Sequence, residues 1–394
     1  MTNESKSNEL AEGAPVAPSV PEAVLSTDPA EAARIQARAT AAERLANDPH
    51  AVDMFAVARV AQETAAAPFK TSGSVKLVAP AKVNLYLDIG DKRPDGYHEA
   101  VSIMHALALH DVIRMRLVPE DPFALVGTMD SALESDEGSA SSEQLLTIDL
   151  TCRACEGIRE LDVAPEDNIV SKAIRLLAAE IGRECCETMR VDVEKHIPSE
   201  AGLGGGSADA AAALVGAARL WGLEADDARL EDVARRLGAD VAFFLHGGCA
   251  CLTGVGDVFD HALEPMRSFV VLVKPEGGVS TAAAYESFDA CHERIPDSDR
   301  ARALEARRAQ DVPLRNNLAG PSERLLPVLA EVRTWAANHP DVEEALMSGS
   351  GSAVFALCPT FEAAARVAMH AQARGWWARS TMFGPMRAAA VPSW

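Results

Sequence analysis

The chain has 394 residues, 48% apolar and 24% charged, ordinary for a globular protein and long enough for two domains with their own cores. Its net charge of −21 argues against a nucleic-acid partner or an anionic membrane surface, since both are gripped through basic patches. The N-terminus is acidic, without an apolar stretch of signal-peptide type, and no uninterrupted run approaches a membrane span, so a cytoplasmic protein with reduced thiols is expected.

In chain order, residues 1–27 are rich in Ser, Pro, Glu and Ala, a composition that favours disorder. Asp28, Pro29 and Glu31 then supply an N-cap, a proline at the first helical position and a capping acid, predicting a helix over about 29–46. Asp48 and Pro49 repeat the signal ahead of a second helix at about 51–65. Residues 1–70 are therefore expected to be an extension, partly disordered or a helical hairpin. In the body that follows, 75–78 and 83–89 read as two strands separated by Ala79, Pro80 and Ala81, and 93–96 as a turn. Residues 119–150 hold eight acidic residues and no Lys or Arg, which predicts an exposed insertion between strands.

Beyond it, Cys152 and Cys155 form one C-x-x-C and Cys185 and Cys186 are adjacent, without the two well-spaced ligand pairs of a structural zinc site. A helix is predicted over 168–181, then a strand in which Val191 and Val193 alternate with Asp192 and Glu194. Gly202, Leu203, Gly204, Gly205, Gly206 and Ser207 follow, opening an Ala-rich helix at 208–221. Such a turn lets bare backbone N–H groups approach an anion, and the helix start adds partial positive charge, so the segment reads as a phosphate cradle. It is not a Walker loop, since no lysine occurs between Lys195 and Lys274, nor a dinucleotide fingerprint, since Ser207 replaces the third glycine. Further on, a helix near 230–237 ends at Gly238, a strand covers 269–274, helices lie near 325–337 and 362–373, and 355–357 ends another strand. Strands and helices mixed without a strict alternation give an α+β fold.

Three segments together carry a family resemblance. Residues 80–88 (Pro-Ala-Lys-Val-Asn-Leu-Tyr-Leu-Asp) with 93–98 (Arg-Pro-Asp-Gly-Tyr-His), the glycine segment 201–210, and 347–355 (Met-Ser-Gly-Ser-Gly-Ser-Ala-Val-Phe) resemble, in order, the motifs of the GHMP superfamily of small-molecule kinases. The likeness runs from about residue 75 to about 387. It implies a domain like ribosomal protein S5 domain 2 over 71–250, a ferredoxin-like domain over 251–394, and a substrate cleft between them. Within the superfamily, Asp95, Gly96, Tyr97 and His98, with Thr281 and Tyr285 further on, point to the branch that phosphorylates 4-diphosphocytidyl-2-C-methyl-D-erythritol with ATP and Mg2+.

The resemblance also implies roles. Residues 202–207 would bind the ATP phosphates, with Ser207 reaching the magnesium ion; Asn168 and Lys195 would contact adenine. Asp240 would be the general base for the attacking hydroxyl, and Lys82 its cationic neighbour. Tyr97, His98 and Tyr285 would handle the cytosine, Asn84 and Thr281 the polyol or diphosphate, and Ser348 and Gly349 a tight turn at the substrate. The acceptor is thus a small molecule, and the enzyme a monomer or homodimer. Ala208, Ala242 and Asn317 depart from the pattern, where a serine, a proline and an acid are expected; none removes a presumed catalytic group.

Overall fold

The structure, a computed structural model, describes residues 73–119, 146–160, 163–184, 186–224 and 226–391. The two helices expected before residue 70, and nearly all of the acidic segment, lie outside the described residues. The chain opens with two long strands, β1 (Ser74–Lys92) and β2 (His98–Pro119), joined by the expected turn. After β3 (Leu146–Ala154) come α1 (Ile169–Glu180), β4 (Glu187–Lys195), α2 (Gly205–Leu220), α3 (Ala228–Leu237) and α4 (Ala239–His246). The hairpin β5 (Cys249–Thr253) and β6 (Val258–Leu263) leads to β7 (Phe269–Lys274), α5 (Thr281–Ala290), α6 (Asp297–Glu305) and the short β8 (Arg315–Asn316). The rest comprises α7 (Ala319–Leu325), α8 (Val328–Ala337), β9 (Glu344–Met347), β10 (Val354–Cys358), α9 (Phe361–Gln372), β11 (Trp377–Met382) and β12 (Ala389–Val391).

These strands make two sheets. The first has the order β12-β1-β2-β4-β3, with β8 added to β1 and the β5–β6 hairpin to β2; the second is antiparallel, β11-β7-β10-β9. Mixed topology with helices segregated onto sheet faces is the expected α+β, two-domain arrangement. The division expected at 250/251 falls inside β5, which pairs with β2, so the hairpin belongs with the first sheet.

Where the sequence suggested two strands there is one, β1, with a register shift between Pro80 and Lys82. A bulge is where a strand tolerates proline, whose nitrogen has no proton for the ladder. The kink also moves the strand from one core to another. Val75, Leu77 and Ala79 pack with α1 and α2 in the first domain, whereas Ala81, Val83 and Leu85 join Leu272 and Phe355 of the second sheet. β7 is buried on both faces, which explains its unbroken apolar run. Val270 and Leu272 face β1 and β2, while Val271 and Val273 face the core covered by α8 and α9. The bulge sets Lys82 and Asn84 between the two domains.

Candidate active site

A cavity of about 680 Å³ lies at this junction, walled by Lys82 and Asn84 of β1, residues 197–207, Asp240 of α4, Thr281 and Tyr285 of α5, and residues 349–351. All three motifs of the resemblance reach it. Their contact is direct: Lys82 N–H donates to the Leu203 carbonyl at 3.0 Å. The Ser348 hydroxyl donates to the Gly202 carbonyl at 2.9 Å and accepts from Asn84 N–H at 3.3 Å.

Two glycines make that approach possible. A Cβ on Gly202, whose φ is +72°, would stand 2.0 Å from the Ser348 carbonyl oxygen, and one on Gly349 would stand 3.2 Å from Gly202 Cα. The backbones of the second and third motifs are therefore in contact, which only glycine permits. Gly204, also at φ +72°, is the N-cap of α2 and offers no side-chain cap. The first N–H groups of α2 are thus left for an anion in the cavity, which fits the phosphate chain of ATP.

Asp240 stands in the first turn of α4, behind Gly238, rather than in a turn outside a helix. Its Oδ2 is 3.5 Å from Lys82 Nζ. The lysine, 4% exposed, also donates to Asn84 Oδ1 at 2.7 Å, and Asn84 Nδ2 donates to Ser102 Oγ at 2.9 Å. A buried cation is thus held on one side by an amide and turned on the other toward a carboxylate that is partly open to the cavity. Burial, with the Asp240 charge nearby, pushes the Tyr285 phenol up to about 12, so it faces the cavity as a neutral donor. Thr281 Oγ1 lies 3.0 Å from Ser350 Oγ, fastening α5 to the third motif. Ser207, Glu200 and Asp240 bring hard oxygen donors to one cavity, a set that suits Mg2+.

Other expected residues stand differently. Asn168 caps α1, accepting from Val170 N–H at 2.9 Å, and does not line the cavity. Lys195 does line it, but its ammonium is clasped by the buried carboxylates of Asp111 and Asp209 under the glycine segment. Burial opposes that charge, yet the two carboxylates hold the Lys195 pKa above its ordinary range, while burial pushes the Asp209 carboxyl up. Lys195 is thus first a tie between β4, β2 and α2. Tyr97 sits on the surface turn, 66% exposed and off the cavity wall. His98 is buried, its Nε2 2.6 Å from Asp289 Oδ1 and its ring centroid 5.3 Å from that of Tyr285, so it supports the wall from behind. Ser348 is likewise buried behind the turn.

Sequence reasoning missed Ser102, Asp111, Asp209, Glu200 and Asp289. Only Glu200 left a local trace, in the segment between the β4 strand and the glycines; its φ of +51° is rare for a residue with a Cβ.

Comparison with known proteins adds an independent line. The profile of the GHMP kinases N terminal domain matches residues 168–248, and that of the GHMP kinases C terminal region matches 297–375. A 4-diphosphocytidyl-2-C-methyl-D-erythritol kinase of Desulfitobacterium hafniense (strain Y51) is 36% identical over 315 residues, 78% of this chain and 96% of the relative. One of Bacillus pumilus (strain SAFR-032) is 33% identical over 282 residues, 71% of this chain and 86% of the relative. Among solved structures, a 4-(cytidine 5'-diphospho)-2C-methyl-D-erythritol kinase superposes with a TM-score of 0.57 at 31% identity, covering 78% of this chain and 99% of its own. A homoserine kinase of Cytophaga hutchinsonii shares the fold, with a TM-score of 0.55 at 18% identity, covering 82% of this chain and 98% of its own.

Proposed function

The chain belongs to the GHMP kinases and, within them, to the 4-diphosphocytidyl-2-C-methyl-D-erythritol kinase family, and from that we infer its reaction. It transfers the γ-phosphoryl group of ATP to the 2-hydroxyl of 4-diphosphocytidyl-2-C-methyl-D-erythritol, giving ADP and the 2-phosphate in the non-mevalonate route to isoprenoid precursors. The observation that carries the chemistry is the Lys82–Asp240 pair at 3.5 Å, in the same cavity as the uncapped start of α2.

Phosphoryl transfer asks the protein mainly to hold donor and acceptor in line and to neutralise spreading charge. In our reading the N–H groups of residues 204–207 bind the phosphates of ATP. Asp240 accepts the proton of the attacking hydroxyl, and Lys82 stands beside the oxygen on which charge develops. Asn84 positions Lys82 through their 2.7 Å hydrogen bond. Mg2+, which we assign to Ser207, supplies neutralisation of the phosphate oxygens when bound. The adenine end of ATP is assigned to the wall beside Asn168 and Lys195, where Ile169 lines the cavity. Thr281 and Tyr285 face the acceptor, and His98 shapes the cytosine end by fixing Tyr285; Tyr97 would reach the base only from the rim. Among the described residues no helix is long and apolar enough to cross a membrane.

The direct test is ADP release with ATP and magnesium, comparing the diphosphocytidyl substrate with mevalonate and homoserine. Turnover confined to the cytidyl compound is expected; turnover on another alcohol would overturn the substrate assignment. Asp240→Asn should cut kcat by roughly 10²–10⁴-fold, the span of general base catalysis, while leaving ATP affinity in place. Unchanged turnover in that variant would remove Asp240 from its role.

A further inference from the structure

The β3–β4 edge of the first sheet carries side chains that phosphoryl transfer does not use. The two strands run parallel, Ala154 beside Lys195, and the ladder extends one step further as Cys155 N–H donates to the Lys195 carbonyl at 3.0 Å. Glu194 and His196 are two residues apart on one chain segment, so both project from the face opposite the apolar core, and Cys155 arrives beside them. Cys155 Sγ is 3.9 Å from Glu194 Oε1 and 3.7 Å from His196 Nε2, and the last two atoms are 3.2 Å apart.

Those spacings match one kind of ligand. A tetrahedral ion bound at about 2.3 Å by sulfur and about 2.0–2.1 Å by nitrogen and oxygen sets its ligand atoms roughly 3.4–3.6 Å apart. The three donors are each within about 0.3 Å of that face before any adjustment. The other carboxylate oxygen, Glu194 Oε2, accepts from Arg114 at 3.2 Å, which orients the group as outer partners of metal ligands do. We propose that Cys155, Glu194 and His196 form a site for a divalent ion of the zinc class, with the fourth position open to water. Thiolate with imidazole and carboxylate selects zinc over magnesium or calcium. The other such cluster among the described residues, Cys251, Asp260 and His261, is less apt. Its Asp260 Oδ2 and His261 Nδ1 stand 2.6 Å apart, well short of the spacing that two ligands of one tetrahedral ion keep, and Cys251 is fully buried.

The C-x-x-C spacing concealed this group, because Cys152 lies on the opposite side of β3, 3.8 Å from the Asn168 amide. Its real companions are 39 and 41 residues from Cys155 in sequence. His196 leads through Ile197 into the cavity wall, so a bound ion ties the sheet edge to the segment that enters the glycine turn.

The test is direct metal counting on the full chain after chelator treatment and titration with zinc chloride, repeated with Co2+ as a spectroscopic probe. We expect one tightly held Zn2+, and with Co2+ a thiolate charge-transfer band together with the absorption of a tetrahedral ion. Cys155→Ser should abolish the band and weaken Zn2+ binding at least about 100-fold, more than loss of an outer partner costs. His196→Gln should weaken binding as well, and Cys152→Ser should leave it intact. Magnesium-dependent turnover and circular dichroism of Cys155→Ser report that the variant is folded. Absence of a stoichiometric Zn2+, its retention in folded Cys155→Ser, or its loss in Cys152→Ser would each overturn the assignment.

Discussion

Asn317 shows what an amide can do that the expected acid cannot. Its Oδ1 accepts from Ile89 N–H at 2.9 Å, and its Nδ2 donates to the Ile89 carbonyl at 2.9 Å and the Glu293 carbonyl at 3.1 Å. Asp88 Oδ1 lies 3.4 Å from the same nitrogen, and Asp88 is already paired with Arg300 at 2.6 Å. A carboxylate here would lose both donations and face a second buried negative charge. Asn317→Asp should therefore cost about 1–3 kcal/mol or more, read as a lower urea midpoint at neutral pH; an unchanged midpoint would refute the account. Lys195 poses a sharper choice, because the resemblance gives it adenine while the structure gives it Asp111 and Asp209. Lys195→Met leaves two buried carboxylates without their cation, so a stability loss of about 3–5 kcal/mol is expected. A rise in KM for ATP with the urea midpoint unmoved would instead make adenine contact its main work.

At the scale of elements, the glycine turn and the third motif act as one unit. Gly202→Ala would force a Cβ to within 2.0 Å of the Ser348 carbonyl at a φ of +72°. The left-handed backbone alone costs about 1–2 kcal/mol, and separating the two backbones adds to it. We expect a lower Tm and a turnover loss larger than the stability loss explains, since the turn that aims the N–H groups must shift. Wild-type turnover in this variant would show that the close approach is dispensable. The nature of this turn was legible in sequence, because glycines before an apolar helix leave few other readings. Its partner was not: Ser348 is 146 residues from Gly202, and nothing local announces the contact. The same holds for β1, where Pro80 read as a break and proved to be a bulge, since pairing with β2 outweighs the missing N–H. Helices α1 and α9 were found to within one residue, because caps and periodicity are local signals, whereas α3 begins two residues and α2 three residues before the expected start, α2 having no side-chain cap to mark it. Asp111 and Asp209 were out of reach because lone acids in a sequence carry no sign of burial, and half-buried Asp289 because its partner His98 is 191 residues away.

For the whole molecule, stability depends on how the two sheets are joined, and His105 of β2 sits at both crossings. Its Nε2 accepts from Met266 N–H at 3.0 Å, on the connection from β6 to β7, so Nδ1 carries the proton and donates to the Ala106 carbonyl at 2.9 Å. Its ring centroid is 4.6 Å from that of Phe383, where the chain leaves β11 and returns toward β12. The ring is fully buried, and burial pushes its pKa down from 6.5 to about 4. As pH falls below about 6.5 the unfolded chain takes up a proton that the folded one refuses until about pH 4. His105 therefore contributes its full stability above about pH 6.5 and loses it progressively down to about 4, a total of about 3 kcal/mol. His110 of the same strand, also pushed down by burial, adds to the slope in the same sense. Carboxylates held below their usual range, such as Asp289 with Lys92 and His98, fail only at lower pH and so fall outside this window. Asp209, whose carboxyl burial pushes up, works against that slope, so the diagnostic is the difference between proteins: urea midpoints measured from pH 7 to 4.5 should fall more steeply in the wild type than in a variant without the ring. His105→Asn should start lower at pH 7, having lost the Met266 bond, and then fall less steeply. Parallel slopes in the two proteins would move the acid sensitivity to other groups and leave His105 as a packing residue at the junction.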